Sequence, residues 1–429
     1  MKIQSSNNSV NFSGYDARKI KAFVMTKNYA DIANEVKKIG DIENFKVLML
    51  EKSPSSFVFK DDAFELSKKH NGAWAQDMWG VVNNTLLARD NLDPQTKLWN
   101  MILDLAPNIT QLKRQEESEV HKLSHFVDLL HNFPVVNKNG KEFVQLPTSE
   151  GFMEVEKVIY EQHLQSQIDK LTKLSKQCHI KGGNYFITKG ENGKDELLIG
   201  QDELKKFNLQ ELKEMFQIDK IHVIPQADYH LDLFIRPLKD KKVLIADDEM
   251  MSRILDDGFD KITKLILSKP QNEREQYRDV YIKVGTYAQG FKKIMNNNPL
   301  PKTDEIEEAL VKSGYEPIRV PARLFDILYN GEDSYILKQH HNYMNASVHI
   351  NDNGEVVYIT NKSILDDTLN LTDEIKKETG FSLEKVFKDA IKPYVDKIYF
   401  VSGKDNVIGK ELLPEFFGGI HCMTMEVPL

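Results

Sequence analysis

Cysteine is nearly absent: the 429 residues contain only Cys178 and Cys422, 244 positions apart. Two such distant thiols build neither a disulfide framework nor a cysteine-rich zinc site, and a reducing compartment fits them best. Glycine and proline total 37 residues, 22 and 15, with no Pro-, Gly- or Ser-rich linker dividing the chain. That excludes collagen-like and low-complexity classes. No apolar run approaches the ~18 residues that span a bilayer, and the opening MKIQSSNNSVNFSG lacks the apolar centre of a signal peptide. A basic excess is also missing, since 57 Lys and Arg stand against 65 Asp and Glu, a net charge of −8. This mild acidity argues against a broad grip on nucleic-acid phosphates. The expectation is a cytoplasmic protein that binds neither nucleic acid nor membrane, its oligomeric state unspecified.

With 41% hydrophobic and 28% charged residues the chain can bury a large core. Short β-branched and apolar runs read as strands: AFVMT (22–26), KVLML (46–50), NTLLA (84–88), NYFIT (184–188), ELLIG (196–200), KIHVIP (220–225), HLDLFI (230–235), KVLIA (242–246), PIRVP (317–321), VVYIT (356–360) and KIYFV (397–401). Helical spacing lies between them. Phe259, Ile262, Leu265 and Ile266 mark a helix that Pro270 would end, and Asn208 with Glu211 forms a capping-box pair ahead of Leu209, Leu212 and Phe216. Alternation of the two periods predicts an α/β architecture. Residues 1–14 read as a flexible tail and 15–429 as one domain. Residues 109–176 read as a helical insertion interrupted by a hairpin or turn near Asn137–Gly140. No fixed-period repeat is visible in the residues themselves.

Four places could carry chemistry. In FFGGIHCMTMEVPL, paired glycines precede His421 and Cys422; a thiol on such a turn can be accessible, although cysteine as a type is most often a small buried hydrophobe. In QADYHLDLFIRPL, strand alternation would place His230, Asp232, Phe234 and Arg236 on one face, joining a proton carrier to a fixed negative charge; an edge strand with solvated polar groups is the plainer reading. NGAWAQDMWG brackets Asp77 with Trp74 and Trp79, aromatic walls that suit a cationic ligand, against a surface Asp beside core tryptophans. HIKGGNYFI carries Gly182–Gly183 at a turn leading a strand. His340–His341 lacks a nearby ligand partner and is expected in a solvated loop. The patterns GxxxxGK[ST], GxGxxG, HExxH and DxDxDG are absent, which leaves nucleotide, zinc and simple calcium sites unsupported.

Taken in order, WAQD (74–77), GGN (182–184), HLD (230–232) and GGIHC (418–422) resemble the signature series of the guanidino-group-modifying enzymes, a superfamily of arginine, agmatine and peptidylarginine deiminases and glycine amidinotransferases. The resemblance implies the pentein fold, five ββαβ units around a pseudo-fivefold axis. It implies Cys422 as nucleophile, His230 as general acid and base, and Asp77 and Asp232 as the pair holding a guanidinium, with Trp74, Asn184 and Arg236 as further substrate-binding candidates. Gln76 and the His-Cys ending look more like the peptidylarginine branch. Lys181 departs from the Glu that usually precedes GGN in agmatine deiminases. The implied reaction is hydrolysis of a guanidino group, of free or peptidyl arginine, to a ureido group and ammonia. Amidino transfer to an amine, or a silent guanidinium-binding module, are the alternatives. No cofactor is expected; calcium dependence, known in some peptidylarginine deiminases, is not legible where 65 acids guarantee chance clusters.

The residue types suit the chemistry. A guanidinium is planar, permanently charged and presents five N–H donors, so two carboxylates can grip its edges. A thiolate is the attacker its central carbon needs, and departing ammonia requires a proton donor.

Overall fold

The computed structural model describes residues 17–50, 79–83, 85–89, 97–109, 111–115, 135–148, 151–163, 165–166, 182–190, 193–226, 230–297, 303–329, 335–412 and 419–428. Asp77, Trp74, Cys178 and the tail 1–14 lie outside them. The fold is mixed α/β, and no helix among the described residues is long and apolar enough to cross a membrane.

Five small sheets share one topology. In each, a central strand pairs antiparallel with one neighbour and parallel with the other, and helical chain crosses between the parallel pair. The central strand β10 (Asp195–Gly200) lies between antiparallel β9 (Tyr185–Lys189) and parallel β11 (Ile221–Ile224). Likewise β4 (Thr85–Arg89) lies between β3 (Trp79–Val82) and β5 (Gln111–Gln115), and β13 (Lys242–Ala246) between β12 (Ile235–Pro237) and β14 (Glu316–Val320). The fourth sheet centres β18 (Val356–Asn361) between β17 (Ser347–Ile350) and β19 (Lys397–Val401). The fifth joins the ends of the chain. Its centre, β1 (Ile20–Thr26), runs parallel to β2 (Lys46–Leu50) and antiparallel to β20 (Met425–Pro428).

The central strands explain why the sequence reads them as apolar runs. Every residue of β10 and of β18 is buried, as expected for strands covered on both faces. The crossing helices pack one apolar stripe on that sheet: α1 (Ala30–Glu43) buries Ile32, Ala33, Val36 and Ile39, and α2 (Lys97–Leu105) buries Ile102. Helix α3 (Leu209–Phe216) buries Leu212 and Phe216 and starts where the sequence places it. The Asn208 side chain accepts from the Gln210 and Glu211 amides while Glu211 accepts from the Asn208 amide, a reciprocal cap worth about 1 kcal/mol. Helix α4 (Asp248–Ser268) ends just before Pro270, with Asp247 accepting from the Met250 amide at its start.

Three expectations need correction. HLDLFI is not a strand: Leu231–Leu233 form a single 3₁₀ turn, closed by the Phe234 amide donating to the Leu231 carbonyl, and strand β12 begins only at Ile235. Leu231, Asp232, Leu233, Phe234 and Ile235 are all buried, so the alternation of polar and apolar types does not separate a wet face from a dry one. The stretch 109–176 is not helical throughout. Besides β5 it holds β6 (Val135–Lys138), β7 (Lys141–Thr148) and β8 (Gly151–Glu156), an antiparallel sheet of its own, although residues 157–163 are helical. The expected turn is present there: Asn139 and Gly140 both have positive φ, at 53° and 78°, and join β6 to β7 by the two-residue loop that such angles favour. His340 and His341 lie on a strand, β16 (Tyr335–Asn342), paired with β15 (Arg323–Tyr329), and His341 is fully buried instead of solvated.

Candidate active site

Four of the units enter their antiparallel outer strand through a described turn, and polar side chains gather in those turns. Asn184 directly precedes β9, Asp232 stands three residues before β12, Asn345 two before β17, and Cys422 three before β20. Four units therefore deliver side chains from equivalent places.

Cys422 lies on the short helical turn Ile420–Met423 and is 8% exposed. Its thiol donates to Asp232 Oδ2 at 3.4 Å, across 190 residues of sequence, and its sulfur accepts from Asn345 Nδ2 at 3.1 Å. Asp232 is completely buried. Its Oδ2 also accepts from Asn345 Nδ2 and from His421 Nδ1, both at 2.8 Å, and its Oδ1 stands 4.0 Å from His230 Nδ1. Thiol, carboxylate and imidazole thus present donor atoms all within 4.8 Å of one another. That spacing would also let His230, Asp232 and Cys422 share one metal ion. Four protein ligands or an open coordination position would then be needed, and thiol-plus-proton-carrier chemistry asks for nothing more than the three groups themselves.

Asn345 organises this arrangement, and the sequence reading missed it. Fully buried, it accepts at Oδ1 from the backbone amides of Gly419 (3.1 Å), His421 (3.1 Å) and Cys422 (3.3 Å), while Nδ2 serves both Asp232 and the sulfur. One side chain fixes the turn that carries Cys422 and orients the carboxylate of Asp232. Asn361 supports the same turn, accepting from the Ile420 amide at 2.8 Å. Gly419 is required there because a Cβ would come within 2.3 Å of Asn361 Nδ2.

The GGN turn has a similar logic. A Cβ on Gly183 would sit 2.5 Å from His230 Nδ1 and 2.9 Å from Asp232 Oδ1, so only glycine lets that backbone approach the pair. Asn184, buried, accepts from the Leu231 amide (3.1 Å) and from Gln226 Nε2 (3.0 Å) and donates to Glu203 (2.6 Å), which fixes the backbone between His230 and Asp232. Its place is thus behind the HLD turn. Glu203 is itself fully buried and paired with Lys206 at 3.1 Å.

Arg236 lies on β12, only 2% exposed, in an ion pair with Glu426 at 3.3 Å, and Glu426 also pairs with Arg18 at 3.4 Å. The guanidinium of this substrate-binding candidate is thus committed to a buried ion pair. Its guanidinium lies 5.1 Å from the Phe186 ring centroid, and that ring stacks on His421 at 5.3 Å. Burial, reinforced by the charge of Arg236 and by His230, holds His421 well below the ordinary histidine pKa, so it is neutral.

No family model matches the chain, and no curated protein matches it. Among solved structures it is similar to the C. jejuni agmatine deiminase, at 13% sequence identity and a TM-score of 0.39 over 96% of this chain and 95% of that one.

Proposed function

We propose that the chain is a hydrolytic deiminase of the pentein type that converts a guanidino group, of free or peptidyl arginine, into a ureido group and ammonia. The observation that carries this reading is the convergence within 4.8 Å of Cys422 from one unit of the fold with His230 and Asp232 from another. Five sheets of ββαβ topology supply the unit count a pentein requires. Asp77 stands two residues before β3, the place that Asn345 holds before β17, which supports it as the second carboxylate.

In this mechanism Asp77 and Asp232 grip the guanidinium edges by charge-assisted bonds, and the bound cation favours the thiolate of Cys422. The sulfur attacks the central carbon, giving a tetrahedral adduct. His230 protonates the departing nitrogen, the C–N bond breaks, and ammonia leaves a thiouronium on Cys422. The imidazole, now neutral, takes a proton from water as its oxygen adds to that carbon. Collapse to the ureido C=O breaks the C–S bond and returns the thiolate, the hydroxyl proton leaves to solvent, where ammonia takes it up as ammonium, and the proton on His230 restores the acid for the next cycle. The ureido product carries no charge, so the carboxylates release it.

A ureido-product assay on arginine, agmatine and an arginine-containing peptide, each with calcium and with chelator, tests the reading. Turnover of at least one substrate is expected, with Cys422→Ala below a hundredth of it. Retention of more than a tenth of the activity by Cys422→Ala would remove the nucleophile. With glycine added to the arginine reaction, ornithine in place of citrulline would identify amidino transfer.

A further inference from the structure

We propose that His421 is a positioning residue: its Nδ1–H, 2.8 Å from Asp232 Oδ2, sets the rotation of the carboxylate that stands between Cys422 and His230. The inference rests on the role given above to Asp232 in holding the guanidinium. An ionised carboxylate only accepts hydrogen bonds, so a contact at this distance requires a proton on Nδ1. The opposite tautomer would aim two lone pairs at each other. A doubly protonated ring would place a further cation in a buried region that already contains Arg236, and would face His230.

The surroundings fix the ring from every side. Phe186 on β9 stacks on it, with Arg236 of β12 packed 5.1 Å from that Phe186 ring. Glu426 of β20 engages both Arg236 and Arg18, and Asp232 and His230 come from the turn before β12. On its own turn the His421 amide donates to Asn345 Oδ1, and its carbonyl accepts from the Thr424 amide at 3.1 Å. The ring cannot follow the carboxylate if it turns; the carboxylate follows the ring. Asn345 and His421 together direct Oδ2 toward the thiol, which leaves Oδ1 on the side of His230. One short helical turn then carries both the nucleophile and the donor that orients the carboxylate beside it, so their mutual registry is set by adjacent residues.

Two variants and one spectrum test this in the full chain. His421→Phe keeps a ring against Phe186 without the donor, and His421→Asn offers an amide N–H near the place of Nδ1. Loss of a hydrogen bond to a charged acceptor predicts a rise in KM of about tenfold or more in His421→Phe, with recovery to within about threefold of wild type in His421→Asn. A purely structural role would reduce the active fraction and so kcat, leaving KM unchanged; an unchanged KM in His421→Phe overturns the proposal. Independently, ¹⁵N spectra of histidine-labelled protein, with His421 assigned by its absence in His421→Asn, are expected to show a neutral ring protonated at Nδ1 from pH 5.5 to 8. A ring protonated at Nε2, or doubly protonated near neutral pH, overturns it as well. The spectrum needs no substrate. Should wild-type protein turn over no guanidino compound, the deiminase reading falls while the tautomer still decides whether His421 orients Asp232.

Discussion

Replacing Asn345 by Asp separates its two duties. The variant keeps an oxygen to accept from the amides of Gly419, His421 and Cys422, but exchanges the donor Nδ2 for an oxygen that sits 2.8 Å from Asp232 Oδ2 and 3.1 Å from Cys422 Sγ. At an effective dielectric of about 20, a unit charge at these distances opposes the carboxylate by about 6 kcal/mol and a thiolate by about 5 kcal/mol. Sharing one proton between the two carboxyls relieves most of the first conflict. What remains at the sulfur is the loss of the Asn345 amide donor and a net charge no more favourable to a thiolate. We therefore expect alkylation of Cys422 by iodoacetamide at pH 7.5 to slow at least about tenfold, equivalent to about 1.4 kcal/mol, with Cys178 as the internal reference. Peptide mass spectrometry reads both thiols in one sample. Asn345→Ala is expected to behave differently, losing about 3 kcal/mol of stability because three buried amides lose their acceptor at about 1 kcal/mol each. Unchanged alkylation in Asn345→Asp, or wild-type stability in Asn345→Ala, would refute the assignment of Asn345 as the organiser of this turn.

Two further outcomes follow from the geometry. Gly183→Ala should reduce turnover at least tenfold, because the added methyl collides with His230 Nδ1 and Asp232 Oδ1, while urea melts shift by only about 1–3 kcal/mol; full activity would mean the close approach does not matter. Stability should fall as pH drops from 7 to 5.5. His421 and His349 both have pKa values lowered in the folded state, chiefly by burial. His349 is additionally committed to the neutral form, accepting from the Ile20 amide at Nδ1 and donating from Nε2 to the Glu43 carbonyl. Below the ordinary histidine pKa the unfolded chain binds the extra protons, so stability is complete above about pH 6.5 and declines below it. The slope approaches about 1.4 kcal/mol per pH unit for each histidine. A flat urea midpoint across this window would contradict both assignments.

Much of the fold was legible because a strand buried on both faces writes itself as a continuous apolar run. ELLIG, VVYIT and KVLIA are central strands, and their burial leaves no polar register to misread. Outer strands were harder. SVHI and MEVP are four residues each, too short for periodicity to separate them from loop. HLDLFI failed for another reason: Asp232 is buried among apolar neighbours, so a polar residue in the pattern marked a site and not a solvent face. The helical reading of 152–176 was similarly misled at its start, where Met153 and Val155 alternate along β8 before the chain turns helical at 157.

Within the site, the motif residues His230, Asp232 and Cys422 were named from sequence because thiol, imidazole and carboxylate have intrinsic reactivity. Asn345 has none. An amide is significant only through what it touches, here three backbone amides, one carboxylate and one sulfur, and its neighbours YMNAS carry no distinguishing pattern. The usable signal was the repeat itself. It is invisible as sequence similarity because the chain between parallel strands ranges from the single α3 helix in one unit to three helices, Asp248–Ser268, Arg278–Asn297 and Thr303–Lys312, in another. As topology it is regular, and four of the units contribute the turn before the outer strand. Placing the strands first and then asking which polar residues occupy those turns selects Asn184, Asp232, Asn345 and Cys422 without any motif. The same rule selects Asp77 before β3. A fold that repeats its backbone but not its side chains thus gathers Asn184, Asp232, Asn345 and Cys422 in one region, each from the turn before an outer strand and none of them within the strand that follows.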